Sequence, residues 1–483
     1  MQLRSGRGKH APFHFKGSLP RKMAALVLSG LVAFLSVDAG ECEAEPGNDK
    51  APNIVLILAD DMGYGDLGCF GHPTIATPNL DRMAAEGMKF TQFHTASSVC
   101  TPSRAGLLTG RLPIRSGLTR VFIPQSEGGI PDKEITIPEL LKDVGYISAC
   151  IGKWHLGRPG KYLPLNHGFN YYFGIPYSND MSPGTQPNNP LFAEQPPTPL
   201  IRNFTVTNPD KEPDQRYLTK WYTEEAIKFM QGSVVEKKKP FFLYLAHTMP
   251  HVPLFASEKF EGKSRRGLYG DVVEELDWSC GEVLKTVKEL GIEDNTLVLF
   301  TSDNGPWLGK QLAGGSSGLF YEGKVSTWQG GYEVPAIARW PGKIPAGVTN
   351  QSFATTMDLF LTFAKLGGAK VPTDRHIDGR DISSLLFENA ASRDAEMFYY
   401  FGDELWAVRR GPWKIHVKTT SPASVSTWGD WPIEEHDPPL LFNVEYDPSE
   451  KHNVADKHPQ VVRRLLNVMR EHQETVVPGE PQR

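Results

Sequence analysis

The sequence predicts an α/β fold: a large mixed, mostly parallel sheet flanked by helices, with a smaller C-terminal α+β subdomain of antiparallel strands. Three observations predict it. Unbroken apolar runs recur as "NIVLILA" (53–59), "YISACIG" (146–152), "FFLYLA" (241–246) and "TLVLFT" (296–301). Runs without polar alternation mark strands buried on both faces, as in a parallel sheet covered by helices. Between them lie helix-patterned stretches, "TPNLDRMAAEG", "TIPELLKDVG", "YLTKWYTEEAIKFMQG" and "YGDVVEELDWSCGEVLKTVKELG". Alternation of strand and helix over so long a stretch builds an α/β sheet. Beyond "MDLFLTFAKLGG" the pattern changes to short antiparallel strands, "EMFYYFG", "LWAVRRGPWKIHVKT" and "PLLFNVEYDP", closed by the helix "HPQVVRRLLNVMREHQ".

Taken in order, residues 1–39 read as a secretory signal. Arg4, Arg7, Lys9, Arg21 and Lys22 precede the apolar run "MAALVLSGLVAFLSV", and Val37-x-Ala39 suits a cleavage site. A single membrane anchor is the alternative, but a run of roughly 15 apolar residues is short for a span. A secreted or periplasmic protein is expected, touching a membrane only through an uncleaved signal. Residues 40–52 form a polar linker, 53–370 the α/β domain and 371–483 the C-terminal subdomain. All four helical stretches end in a glycine, and in the first, second and fourth it suits the position after a helix C-cap. The proline- and asparagine-rich segment 175–215 excludes a regular element and reads as a long structured loop over a site. Asn203 and Asn350 begin sequons that matter only in a glycosylating host.

The net charge of −5 over 483 residues gives no support for a nucleic-acid partner. An anionic substrate must be attracted by a local pocket. The five cysteines, Cys42, Cys69, Cys100, Cys150 and Cys280, contain no CxxC pair, which argues against a disulfide framework and against a zinc site. One or two bridges remain open in an oxidising compartment. Cys150, inside an apolar run, reads as a small core residue.

Ligands of open α/β sheets bind beyond the carboxyl ends of the strands. Those ends carry chemistry here. "NIVLILA" runs into Asp60 and Asp61, "TLVLFT" into Asp303 and Asn304, "FFLYLA" into His247, and "YISACIG" into Lys153 and His155. Asp60-Asp61 alone is as well explained by a turn or helix cap. Two strand ends together bring three carboxylates and an amide to one place, and a hard cation neutralises them best. Oxygen ligands suit Ca²⁺ or Mg²⁺, and several carboxylates in a roomy site favour Ca²⁺, one per chain. Lys153, His155, His247 and Lys324 in "YEGKVSTWQGG" supply the opposite charge. Cations facing a metal suggest an ester of sulfate or phosphate.

In "SSVCTPSRAGLLTGR", Pro102 places Cys100 at or just before a helix N-terminus, where anions and thiolates are favoured. A phosphatase loop would need an arginine six residues on, but position 106 is Gly106 and the arginine is Arg104. A papain-like site lacks its local cysteine signature. An inert cysteine at a helix start remains as the bland reading.

"CTPSRAGLLTGR" resembles the signature of the type I, formylglycine-dependent sulfatases, Cys-x-Pro-Ser-Arg followed by Leu-x-x-Gly-Arg. The resemblance extends through "DDMGYGDLGCFGHPTIATPNLDRMAAEGMKF", "GKWHLG", "FGIPYSND", "HTMPHVP", "SDNGP" and "LLFNVEYDPSEKHNVA", and is strongest to members of the arylsulfatase A and galactosamine-sulfatase kind. It implies an alkaline-phosphatase-like sheet and a sulfuric ester hydrolase acting on a sulfated glycan, glycolipid or aryl sulfate. It implies that Cys100 is oxidised to formylglycine (3-oxoalanine) by a maturation enzyme, and that Asp60, Asp61, Asp303, Asn304 and the matured residue 100 hold Ca²⁺. Arg104 and Lys153 would orient the aldehyde hydrate and His155 would accept its proton. Lys153, Ser178, His247 and Lys324 would contact the sulfate. One hydroxyl of the hydrate attacks sulfur, the alcohol leaves, and deprotonation of the second hydroxyl expels sulfate and restores the aldehyde. Three departures stand out: Gln329 where the family usually has Glu, Glu333 near the usual Arg, and Asn179 in place of a histidine. Two other readings fit the same residues: a phosphodiesterase or phosphonate hydrolase of the superfamily, and a non-catalytic Ca²⁺-dependent sulfoglycan-binding protein.

Overall fold

The four apolar runs become four adjacent parallel strands at the centre of a ten-stranded sheet: Thr296–Ser302, Asn53–Ala59, Phe241–Ala246 and Ile147–Gly152, in that spatial order. A computed structural model describes residues 51–158, 160–392, 395–425, 429 and 431–483. The expected signal, most of the linker and Cys42 lie outside the described residues.

Every residue of the four central strands is buried, and their side chains alternate between two cores. Ile54, Leu56 and Leu58 point to one, with the helices Cys100–Thr109, Ile137–Asp143 and Asp358–Gly367. Val55, Ile57 and Ala59 point to the other, with Pro78–Glu86, Leu218–Gln231 and Leu268–Glu289. Each large side chain so buried contributes ~1.5–3 kcal/mol.

A fifth parallel strand, Tyr171–Gly174, follows on one side, and the antiparallel strand Ala336–Arg339 lies on the other. The sheet is therefore mixed and mostly parallel, as expected. Segment 175–215 is largely irregular, but Ile201–Arg202 and Thr205–Val206 form a small hairpin that extends the sheet. Two-residue strands leave no periodic trace in a sequence.

The second sheet has four antiparallel strands, Glu396–Phe401, Glu404–Arg410, Trp413–Thr420 and Ile433–Asn443, covered by the helix Pro459–Thr475. Ile382, Leu385 and Leu386 still belong to the core of the large sheet. Cys69, Cys100, Cys150 and Cys280 are free thiols, and Cys150 is a core residue as read. Asn350 is buried and donates to Leu385 O and Asn389 Oδ1, so its sequon is closed in the folded protein. Gly87 is not in the left-handed region expected after a helix (φ −141°). It is required by close approach, because a Cβ there would lie 2.3 Å from Ala338 O.

Candidate active site

Register brings the strand ends level. Leu58 pairs with Ala246, Ala59 with Ser302, and Gly152 with Ala246. The residues that follow therefore emerge at one edge. Alternation continues past each strand and selects the side. Asp60 and Asp303 point toward the core that contains the Cys100 helix, where Arg104 meets both. Gly152 interrupts its strand at φ 115°, turning the chain so that Lys153 joins them.

The cluster is dense and dry. Arg104 donates through Nε to Asp303 Oδ2 (2.9 Å), sits 3.5 Å from Asp60 Oδ2 through a terminal nitrogen, and donates through the other to Lys153 O (2.7 Å). Lys153 Nζ donates to Asp60 Oδ2 (2.5 Å) and Ser178 Oγ (3.3 Å). Lys324 Nζ donates to both oxygens of Asp61 (2.6 and 2.8 Å) and lies 3.4 Å from Cys100 Sγ. Cys100 Sγ is 3.6 Å from Asp60 Oδ1. All eight side chains are at most 4 % exposed. Three carboxylates face three cations, so the cluster is neutral as it stands. Burying such pairs rarely gains stability, because desolvation offsets the attraction. Their concentration at one strand edge points to chemistry instead.

Burial resists the charge on Lys153 and Lys324, yet Asp60 and Asp61 outweigh it and hold both above the ordinary lysine value. Burial also works against the Asp60 carboxylate, but Lys153 and Arg104 keep it below the usual range. Burial pushes the Cys100 thiol up, against the pull of Lys153 and Lys324. The helix begins at Cys100, as Pro102 suggests, and all ten of its residues are buried.

The donors fit a hard cation. Ligand atoms of Asp60, Asp61, Cys100 and His251 lie within 4.8 Å of one another. Asn304 donates its Nδ2 to Asp61 Oδ1 (2.7 Å), and its buried Oδ1 has no partner among the described residues, a carbonyl left over for a metal. Asp303 is nearby, with Oδ1 accepting from Asp61 N (3.2 Å) and Oδ2 turned to Arg104.

One expected residue is elsewhere. His247 follows its strand onto the opposite side of the sheet, where Nε2 meets Ser279 Oγ (3.1 Å) and the ring packs near Tyr222. Burial lowers its pKa to about 3, which keeps it neutral. The imidazole at the acid cluster is that of His251, four residues on. Its Nδ1 donates to Val252 O (2.5 Å), and its Nε2 lies 3.5 Å from both Asp61 Oδ2 and Ser178 Oγ. "HTMPHVP" offers two histidines: His247 keeps the alternation of its strand, whereas His251 comes after the chain has left the strand and turned. His155 is buried, donates Nε2–H to Phe122 O (2.9 Å), and has an Nδ1 without a partner among the described residues. Burial, with Lys153 beside it, holds its pKa well below the usual histidine value. The ring is neutral and Nδ1 is a free acceptor.

A cavity of about 1100 Å³ adjoins the cluster. Cys100, His155, Ser178, His251 and Lys324 line its reactive side, while Val121, Ile123, Met181, Phe192, Leu254 and Trp307 supply an apolar wall. Met181 and Phe192 come from the 175–215 loop, as expected of a loop over a site. Asn179 does not line it, but donates to Pro253 O (3.2 Å) beside His251.

The Sulfatase family model matches residues 52–369, and the model for the C-terminal region of aryl-sulfatase matches residues 392–483. The chain belongs to the sulfatase family. This sulfatase is 41 % identical over 466 residues to N-acetylgalactosamine-6-sulfatase of Canis lupus familiaris, covering 90 % of this chain and 88 % of that one. It is 40 % identical over 461 residues to arylsulfatase A of Homo sapiens, covering 89 % and 88 %. Among solved structures, the PsFucS1 sulfatase from Pseudoalteromonas sp. superposes with a TM-score of 0.81 at 30 % identity, covering 88 % of this chain and 90 % of that one. The sulfatase is a sulfuric ester hydrolase. Neither phosphodiester hydrolysis nor non-catalytic binding is favoured by these similarities. Its family generally binds a divalent metal, which agrees with the donor set described above.

Proposed function

We propose that this sulfatase cleaves O-sulfate esters on a sugar, using Cys100 matured to formylglycine and one bound Ca²⁺ per chain. The observation that carries the reading is the place of Cys100, which lines the cavity with its Sγ between Asp60 and the Lys324 ammonium. Asp60, Asp61, Asp303, Asn304 and residue 100 would hold the cation, with His251 beside them, and its charge would neutralise sulfuryl oxygens. The aldehyde hydrate would supply a nucleophilic hydroxyl and a second hydroxyl whose deprotonation releases sulfate.

The chain's own residues do the rest. Arg104 fixes Asp303 and the Lys153 carbonyl, and so orients the residues around position 100. Lys153 and Lys324 neutralise sulfate charge, with Ser178 bridging from Lys153 toward His251. His155, neutral with a free Nδ1, accepts a proton at the nucleophile. His251 delivers one to the departing oxygen, standing where His247 was expected to face the sulfate. A sugar leaving group is supported by the roomy cavity, with Phe192 and Trp307 on its apolar wall, and by the likeness to an N-acetylgalactosamine-6-sulfatase. The signal-like segment 1–39 supports export to the periplasm or the exterior.

The test is sulfate release from 4-nitrophenyl sulfate and from a panel of hexosamine sulfates, against bis(4-nitrophenyl) phosphate. Turnover of the sulfated hexosamines above the aryl ester is expected. Preference for the phosphodiester, or turnover of the aryl ester alone, would overturn the corresponding half of the reading.

A further inference from the structure

The motif "DPSEKH" near the C-terminus has no part in the chemistry above, yet it reaches the loop that carries Lys324. That loop, residues 322–329, is strained. Glu322 (φ 57°) and Val325 (φ 79°) both have left-handed backbones, and for a branched residue such as Val325 this is a true outlier. Strain of this kind persists only where the surroundings over-determine it, and it gathers at working sites.

Both ends of the loop are held by the C-terminal region. Glu322 Oε2 accepts from Ala423 N (3.0 Å). At the other end the Glu450 carboxylate accepts from Gln329 N (2.6 Å). Glu450 is itself fixed by Lys414 Nζ (3.0 Å) and His416 Nε2 (2.8 Å), and Lys414 also donates to Gln329 Oε1 (3.0 Å). The Trp328 ring packs on His416 at 4.5 Å between centroids. Glu450, Lys414 and His416 are all buried, so the carboxylate spends its charge on this one junction. Between the two anchors, Val325 N donates to Ser98 O (2.9 Å) and Lys324 reaches Asp61 and Cys100.

We propose that Glu450 is a positioning residue for Lys324: by clamping the Gln329 amide it holds the strained loop in the conformation that sets the lysine ammonium at the nucleophile. The C-terminal sheet is thereby part of the catalytic apparatus. The inference rests on the reading of Lys324 as a sulfate-neutralising group. The buried Gln329, standing where the family usually has a carboxylate, is neutral and so compatible with Glu450 and Glu333 beside it.

The experiment is steady-state turnover of 4-nitrophenyl sulfate by the matured protein and its Glu450→Ala, Glu450→Gln, Lys324→Ala and double variants, each checked for folding by circular dichroism. A lost clamp misplaces the ammonium, so Glu450→Ala should lower kcat by up to ~10²-fold while KM moves much less. Glu450→Gln, which keeps an acceptor at the same reach, should restore most of it. In the Lys324→Ala background the loss should vanish, because the two residues act as one unit. If Glu450→Ala does not fold, Glu450→Asp, which keeps the charge and withdraws the reach, takes its place in the cycle. Unchanged kcat in the folded Ala or Asp variant, no rescue by Gln, or an equal loss without Lys324 would overturn the proposal. Full turnover by Lys324→Ala alone would instead sink the reading of the site on which it rests.

Discussion

Cys100 as a plain thiol is badly placed to act as a nucleophile, since burial favours its neutral form and its neighbours include a carboxylate. Conversion to an aldehyde hydrate, as proposed, would make the same position useful. Cys100→Ser is expected to keep the fold and to lose multiple turnover by at least ~10³-fold, read from the steady state after any first-turnover burst. The two histidines of "HTMPHVP" give a sharper test of the geometry. His251→Ala should lower kcat/KM by ~10²–10⁴-fold, as loss of a general acid does. His247→Asn should move the melting temperature more than turnover, because His247 meets Ser279 on the far side of the sheet. A larger kinetic loss at His247 than at His251 would reverse the assignment. The gathering of Asp60, Asp61, Lys153 and Asp303 was legible, since each stands within two residues of the end of an apolar run. His247 misled because it obeys the same rule, and only the parity of its strand sends it to the wrong face.

At the scale of elements, the central strands end flush and the Cys100 helix starts at their common edge. Four apolar runs made this arrangement readable. The hairpin of Ile201–Arg202 and Thr205–Val206 was not readable, because pairing with Tyr171–Gly174 creates it rather than any local pattern. The left-handed turns at Glu322 and Val325 were equally hidden, since tertiary contacts impose them against the preference of the residues. The strand-end acids make a prediction about metal. Chelation should abolish turnover and lower the melting temperature, and Ca²⁺ should restore both. A cation at about 100 times its Kd stabilises the folded state by about 2.7 kcal/mol. Asn304→Ala, which removes the unpartnered carbonyl, should raise the Ca²⁺ concentration needed for half-maximal stabilisation. An unchanged requirement would show that Asn304 is not a ligand.

At the scale of the whole molecule, the ten-stranded and the four-stranded sheets meet through a buried polar seam, and that seam sets a pH dependence. Burial raises the Glu333 carboxyl to about 8, with Arg409 and Lys414 only partly opposing it. The unfolded chain releases this proton near the ordinary glutamate value, while the folded protein keeps it to about pH 8. Folding therefore takes up a proton between these limits, and stability from this group is lost as pH rises through them, by up to roughly 1.4 kcal/mol per pH unit. Glu333→Gln should flatten the fall in denaturation midpoint between pH 5 and pH 8 (both are about the limits set by the linkage), and an unchanged slope would place the proton elsewhere. The second sheet was legible in outline from its short strands, but its hold on the Lys324 loop was not, because Glu450 and Gln329 are far apart in sequence. The proposed chemistry stands on residue 100. The mass of the peptide spanning Ser97–Arg111, taken from protein that is turning over a sulfate ester, tests it most directly. The expected mass is about 18 Da below that of the thiol form, the difference between CH₂SH and CHO, and a fully active protein carrying only the unmodified thiol would contradict the formylglycine mechanism.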